Sequence, residues 1–343
     1  DLPKIIARKQ KVVRKLVLGV KGKLTANNVT IVNGEASIVD KNHVLCGDET
    51  YECDNLLLCT GSETFIPPIP GIDTVPYWTH RDALDNKEFP KSLVVIGGGV
   101  IGMEFASFFN SLGVEVTVIE MLDEILGGMD KELSAMLRAE YAKRGIKFML
   151  NTKVVSLDGS AGENGETQVR VNYENAEGTG FSVAEKLLMS VGRRPVTKGF
   201  GLENLNPEKT ERGNIRVDGQ MRTSVPGVYA CGDLTGFSLL AHTAVREAEV
   251  AVHAVLGKKD CMSYRAIPGV VYTNPEIAGV GDTEEALQKK GIPYRTVKLP
   301  MAYSGRFVAE NEGVNGMCKL LLAEDDTVLG AHVLGNPASE IIT

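Results

Sequence analysis

The sequence predicts an α/β protein built around one Rossmann-like domain, with segments of different texture on either side. Three observations carry that reading. In "SLVVIGGGVIGMEFASFFNSLGVEVTVIE", residues 92–120, an apolar strand runs into a G-x-G-x-x-G turn, a helix and a second strand. The residues before it alternate like strands but hold no glycine fingerprint of their own. After Pro268 the pattern becomes short strands with one helix, the mark of an α+β domain with an antiparallel sheet.

Each element has its own signal. Residues 4–20 have helical spacing, with Ile5, Val12, Leu16 and Val20 on one side of a basic amphipathic helix. "VTIVNGEASIVD" and "HVLCGDETYECDNLLLCTGS" alternate like strands, and Gly47-Asp48 marks a hairpin turn. "FIPPIPGI" is a proline-rich connection between domains. The pattern then predicts a strand over 92–96, a helix to Leu112, a strand over 114–119 and a helix over 130–144. Strands are expected near 146–158, 167–173 and 181–190. "VGRRPVTKGFGLE" reads as a loop, and "GVYACGDLTG" as a short buried strand ending in a turn. Ala244, Ala248, Ala251 and Val255 put a helix over 241–256. The last block predicts strands at 269–272, 276–280, 293–299, 316–323 and 327–335, with a helix near 283–290. "GNPASEIIT" carries a helix-start signal, with Asn336 or Ser339 as cap and Pro337 in the first turn.

Composition bounds the partners. At 343 residues, two or three domains are expected. A net charge of −7 argues against nucleic acid. No apolar run approaches the roughly 18 residues of a membrane span. The six cysteines include no C-x-x-C pair and no zinc-like spacing with histidine, so no metal site is expected. Cys59, Cys231 and Cys318 lie in apolar runs and read as buried, reduced thiols of a cytoplasmic protein, or of the mitochondrial matrix in a eukaryote.

The glycine turn has a physical job at each position. Gly97 permits the tight turn, Gly99 lets backbone approach a pyrophosphate, and Gly102 lets the helix lie close to the strand. The helix N-terminus offers free amides and the positive end of its dipole. Glu120 ends the second strand at the expected offset of about 20 residues and is placed to accept adenosine ribose hydroxyls. Met121, Leu122, Asp123 and Glu124 follow, with no Arg or Lys among them, so NAD is expected rather than NADP.

"LLLCTGS" at 56–62, "VGRRP" at 191–195, "VYACGDLTG" at 228–236 and "LLAH" at 239–242 stand in one order. With them the chain resembles the flavoprotein disulfide reductases, and within these the dihydrolipoamide dehydrogenase family, whose pattern "DLPKIIARKQKVV" and "PGVVYTNPEIAGVGDTEEAL" also match. The resemblance covers essentially the whole chain. It implies an NAD domain at 91–200 inserted into a partial FAD domain at 1–75 and 201–265, a connection at 76–90, and a partial α+β dimerisation domain at 266–343.

The resemblance also implies roles. Thr60, Gly61 and Ser62 would lie next to FAD, Ala36 would offer backbone to its adenine, and Asp233 would bind its ribityl chain. Leu239, Leu240, Ala241 and His242 would pass along the flavin ring. Gly97, Gly98, Gly99, Val100, Ile101, Gly102, Met103 and Glu104 would wrap the NAD pyrophosphate and nicotinamide, with Val154 at the adenine and Gly192 at the nicotinamide-side ribose. Glu104 would pair with a lysine that this sequence does not contain. Taken singly, Thr60-Gly61 also reads as a strand-end turn, Asp233 as an Asx turn, His242 as a helix cap, and Arg193-Arg194 as a solvated pair.

The family's first glycine fingerprint, its C-x4-C redox pair and its His-Glu dyad have no counterpart here, so no catalytic residue is assigned and the chain is read as an inactive internal fragment. An apolar patch left open at Leu57, Val228 and Tyr229 is expected on that reading. The implied enzyme is a homodimer that oxidises dihydrolipoamide on the lipoyl domain of a 2-oxoacid dehydrogenase or glycine cleavage complex, through FAD to NAD. The alternatives are another NAD-linked member of the superfamily or a non-catalytic NAD-binding module.

Overall fold

The computed structural model describes residues 1–161, 167–311 and 313–343. They form two compact units, residues 1–63 with 193–264, and residues 64–192 with 265–343.

The first unit opens with α1 (Leu2–Ala26), where the Asp1 side chain accepts the Lys4 N–H. The helix is longer than its periodicity predicts. Its apolar side stays exposed, with Val12 at 49% and Leu16 at 64%, so helical spacing there does not mark burial. "VTIVNG" forms no strand; the ladder starts later. β1 (Ala36–Asp40), β2 (His43–Cys46) and β3 (Glu49–Glu52) make an antiparallel sheet. Cys46 faces Glu49 across the Gly47-Asp48 turn, where Gly47 supplies φ +61. β4 (Leu56–Leu58) and β5 (Ser62–Thr64) follow.

The second unit begins with the short helix α2 (His80–Asp85), which the sequence pattern does not announce. β6 (Ser92–Ile96), α3 (Val100–Ser111), β7 (Glu115–Ile119) and α4 (Lys131–Lys143) come within a residue or two of expectation, whereas the strand predicted near 146–158 is interrupted after β8 (Lys147–Met149). β9 (Lys153–Ala161), β10 (Thr167–Asn175) and β11 (Gly178–Ala184) form an antiparallel sheet, and β12 (Lys186–Met189) completes a parallel one in the order β12-β6-β7-β8. The single strand predicted over 181–190 is therefore two. β11 alternates in burial, whereas Leu187, Leu188 and Met189 of β12 are all buried. The break falls at Glu185, whose carboxylate accepts the Lys91 N–H and whose N–H donates to Ser92 Oγ. Alternate residues of β6 face opposite ways: Leu93 and Val95 pack with Met103, Phe109 and Leu133, while Val94 and Ile96 pack with Leu157, Val169 and Val171.

Returning to the first unit, β13 (Arg193–Pro195) leads to β14 (Val228–Ala230), which pairs in parallel with β4, and to α5 (Ala241–Val255). The expected open patch is absent. Val228 is 1% and Tyr229 8% exposed, and Leu57 is half-buried. Val228 packs with Ile38, Leu58, Leu202 and Ile215, and Tyr229 with Met221 and α5 residues Val250, Ala251 and Ala254. Segments of this chain thus cover both faces of β14, an arrangement that the sequence order of the strands does not reveal.

The last pass through the second unit holds β15 (Gly269–Val271), β16 (Ile277–Gly281), α6 (Glu284–Lys290), β17 (Arg295–Pro300), α7 (Gly305–Glu310), β18 (Met317–Leu322), β19 (Val328–Leu334) and α8 (Ala338–Ile341). The sheet is antiparallel in the order β15-β16-β19-β18-β17, and α7 is unannounced. Neither Asn336 nor Ser339 caps α8; the cap position is Pro337, and the helix starts after it. This sheet shares its core with the parallel one: Val271, Ile277 and Leu334 pack with Leu133, Leu137 and Tyr141. Lys319, 1% exposed, sits between Asp130 at 2.8 Å, Glu132 at 2.9 Å and Glu284.

Candidate functional site

The glycine turn lies at the C-terminal ends of the parallel strands, where open α/β sheets bind ligands. Its glycines differ in what demands them. Gly97 has φ +100, and a Cβ on it would stand 2.5 Å from Ser190 O; a Cβ on Gly102 would stand 2.0 Å from Gly97 O. The protein's own packing requires both. Gly99 has an ordinary φ of −71°, and a Cβ there would meet nothing within 4 Å. The space beside Gly99 is open at the N-terminus of α3. The Met103 N–H reaches back to Gly99 O at 2.9 Å, so the amides of Val100, Ile101 and Gly102 lack a carbonyl one turn behind them. Val100 is exposed and Ile101 half-buried, while the Met103 side chain is fully buried in the core. These features fit a dinucleotide pyrophosphate.

Glu120 clasps this turn. Its Oε2 accepts the Gly98 N–H at 2.6 Å and its Oε1 the Leu122 N–H at 2.8 Å. Two cations come near the following stretch, and both are already paired: Lys131 with Asp123 at 2.5 Å, and Arg138 with buried Glu124 at 2.7 Å. Ser190 Oγ donates to Gly97 O at 2.9 Å, which brings the strand end leading to Gly192 against the turn. Gly192 has φ +130 with open space at its Cβ position. The Thr152 N–H donates to Glu120 O at 3.0 Å, which leads half-buried Val154 away from the same strand end. Glu104 Oε1 accepts the Tyr272 N–H at 2.8 Å. Burial pushes the Glu104 carboxyl above its usual range, and that hydrogen bond opposes the shift.

The first unit gathers a second set. Thr60 Oγ1 donates to Val196 O at 2.8 Å, and Gly61 has φ +69. Ser62 Oγ donates to Asp233 and accepts from Arg193 Nε at 2.6 Å; Arg193 Nη2 also holds Ser62 O at 2.6 Å. Asp233 sits in a one-turn 3-10 helix, Gly232–Leu234, and keeps a quarter of its side chain exposed. The Gly232 N–H donates to Glu247 Oε2 at 2.5 Å, and Tyr264 Oη donates to Glu247 Oε1 at 2.7 Å. Leu239, Ala241 and His242 are exposed at the start of α5, with Leu240 half-buried. Ala36 opens β1 opposite Cys46, and Ile38 of that strand packs on Leu58 and Val228.

Ser190, Arg193 and Glu247 are the positioning groups that sequence reasoning missed. Ser190 carries no signal. Arg193 was visible only as half of a solvated pair. Glu247 had one clue, an acid on the apolar stripe of Ala244 and Ala251; it is fully buried. Cys59 is exposed and Cys318 half-buried, so of the three thiols expected inside only Cys231 is buried. Cys59 lies just past the end of β4, beyond the reach of the core around Leu58.

A glycine turn open at Gly99 beside a helix N-terminus and a second loop cluster around Asp233 stand on one chain. Residues 2–248 match the pyridine nucleotide-disulphide oxidoreductase family and residues 267–343 its dimerisation domain. The chain belongs to this family of flavoprotein oxidoreductases. It is 39% identical over 348 residues to dihydrolipoyl dehydrogenase of Geobacillus stearothermophilus, covering 100% of this chain and 72% of that one. It is 38% identical over 355 residues to the mitochondrial dihydrolipoyl dehydrogenase of Homo sapiens, covering 100% of this chain and 68% of that one. Among solved structures it resembles the HOCl-induced flavoprotein disulfide reductase RclA of Escherichia coli, with TM-score 0.88, 29% identity, and coverage of 99% and 77%. LpdA of Mycobacterium tuberculosis gives TM-score 0.87 at 28% identity, with coverage of 99% and 75%. Among the described residues no helix is long and apolar enough to cross a membrane, and no group of three or more His, Cys, Asp or Glu side chains is placed to hold a metal.

Proposed function

We propose that the protein is a dihydrolipoyl dehydrogenase, oxidising dihydrolipoyl groups and reducing NAD by way of FAD. The observation that carries the nucleotide half is the open space at Gly99, left beside the free amides of α3 and the carboxylate of Glu120. Bound flavin supplies two-electron chemistry between a dithiol and a nicotinamide. The chain's residues bind and orient. Gly97 to Gly102 hold the NAD pyrophosphate, with Val100, Ile101 and the backbone of Met103 lining the helix entrance. Glu120 accepts ribose hydroxyls, and Val154 and Gly192 flank the adenine and the second ribose. Glu104 keeps a half-buried carboxyl near the nicotinamide end. Thr60, Gly61, Ser62 and Asp233 hold the flavin's ribityl side, Ala36 its adenine, and Leu239 to His242 its ring. The substrate half rests on the likeness to dihydrolipoyl dehydrogenases over the whole chain. The same reading makes the protein a homodimer that serves the lipoyl domain of a 2-oxoacid dehydrogenase or glycine cleavage complex.

A second reading, another disulfide reductase of the family, is favoured by the likeness to RclA. The test uses the protein at its natural full length. NAD reduction that depends on dihydrolipoamide is expected. Turnover with other disulfide or dithiol substrates but none with dihydrolipoamide would replace the first reading by the second.

A further inference from the structure

Cys59 and Cys231 stand just beyond the ends of two adjacent parallel strands. Leu58 faces Ala230 in the β4–β14 register, and the Cys231 N–H donates to Leu58 O at 3.1 Å. Neighbouring strands run roughly 4.8 Å apart, within the Cα separations that disulfides span. The two sulfurs are 3.4 Å apart. Closing to an S–S bond of about 2.05 Å needs only a side-chain adjustment.

The pair is also asymmetric. Cys59 reaches the surface, and Cys231 is 5% exposed. The hydrogen bond from Cys231 pulls the Cys59 thiol below its usual range against the opposing effect of burial. The same hydrogen bond, with burial, pushes Cys231 up. One sulfur is therefore the accessible nucleophile and the other its protonated neighbour.

We propose that Cys59 and Cys231 form a dithiol–disulfide couple, with Cys59 as the thiol that meets hydrogen peroxide and Cys231 as the thiol that resolves it. The Cys59 thiolate attacks one peroxide oxygen, the O–O bond breaks, and the departing hydroxide takes a proton and leaves as water. Cys59 is then a sulfenic acid. The Cys231 sulfur attacks the Cys59 sulfur, an S–S bond forms, the S–O bond breaks, and a second water leaves with the Cys231 proton. Two thiols lose two electrons, and the peroxide gains them. The bridge fastens together the strand ends that lead into Ser62 and Asp233. The inference stands apart from the identity of the reducing substrate, because it uses only these two side chains.

The test is disulfide mapping of the full-length, pre-reduced protein after stoichiometric hydrogen peroxide, acid quench and alkylation with N-ethylmaleimide. A peptide pair joining residues 59 and 231 is expected, about 2 Da lighter than the two reduced peptides and released by dithiothreitol. In Cys231→Ser the reaction should stop at a sulfenic acid on Cys59 that dimedone traps, and in Cys59→Ser Cys231 should stay reduced. Recovery of both wild-type cysteines in alkylated form, or of Cys59 joined to any other thiol, overturns the proposal. The wild-type map decides the matter even if a variant fails to fold.

Discussion

Three glycines in one turn answer to different neighbours, and substitution separates them. Gly102→Ala forces a Cβ to 2.0 Å from the Gly97 carbonyl oxygen, a backbone atom that cannot swing away. It should cost about 3 kcal/mol, the upper end for overpacking, seen as a lower urea midpoint. Gly99→Ala meets open space and an allowed φ, so stability should hold within about 0.5 kcal/mol. NAD binding by calorimetry should nevertheless weaken at least tenfold, about 1.4 kcal/mol. Equal losses of stability in both variants would mean that Gly99 serves the fold and not a ligand. Glu120→Ala removes a carboxylate proposed to accept ribose hydroxyls, each charged hydrogen bond being worth roughly 1.5–3 kcal/mol. NAD affinity should fall and the preference over NADP should narrow. Tight NADP binding by the unaltered protein would refute the role given to Glu120.

At the scale of elements, the buried lysine of β18 ties three pieces together. Lys319 meets Asp130 and Glu132 at the start of α4 and Glu284 at the start of α6. Burial alone would lower the Lys319 pKa, but the hydrogen bonds it donates to Asp130, Glu284 and Glu132 hold it above the usual lysine range. Burial likewise opposes ionisation of Glu132 and Glu284, yet their bonds to Lys319, with Lys298 on Glu132 and Tyr294 on Glu284, leave both below the usual range. Lys319→Met leaves Asp130 buried without its cation and should cost about 3–5 kcal/mol at neutral pH. The two glutamates add stability that is full above their unfolded pKa of roughly 4.3 and is lost as pH falls through their lower folded values. The raised lysine adds stability that is lost only as pH rises through its folded value. Urea midpoints should therefore drop below about pH 4 in the natural protein and drop less in Lys319→Met. An identical acid profile in both would remove the cluster from the account.

On the scale of the whole molecule, the second unit joins residues that are far apart in the chain. Leu133 of α4, fully buried, packs in one core with Val271, Ile277 and Leu334 of the last sheet. Tyr141 adds hydrogen bonds: its Oη donates to Ser107 Oγ at 2.6 Å and accepts the Asn274 N–H at 2.9 Å. The parallel and antiparallel sheets should open together. Leu133→Ala, a cavity worth about 2–5 kcal/mol, should lower hydrogen-exchange protection in β16 and β19 as well as in β6 and β7. Full protection of β16 and β19 in that variant would show two separate folding units.

The sequence by itself determined the strand–turn–helix around Gly97, the acid at Glu120 and most elements of the last sheet. Each rests on short-range physics: a 3.6- or 2-residue period, a glycine that a turn demands, a fixed offset along one βαβ unit. Motif order also carried the family. Only the tertiary structure decided what lies side by side. The run over 181–190 divides because two sheets claim its halves. Val228 and Tyr229 are covered because distant segments return over β14. Arg193 finds Ser62 across 131 residues, and Cys59 finds Cys231 across 172. No local period records such meetings, because the fold's packing, and not the spacing of residues along the chain, sets which strand ends become neighbours.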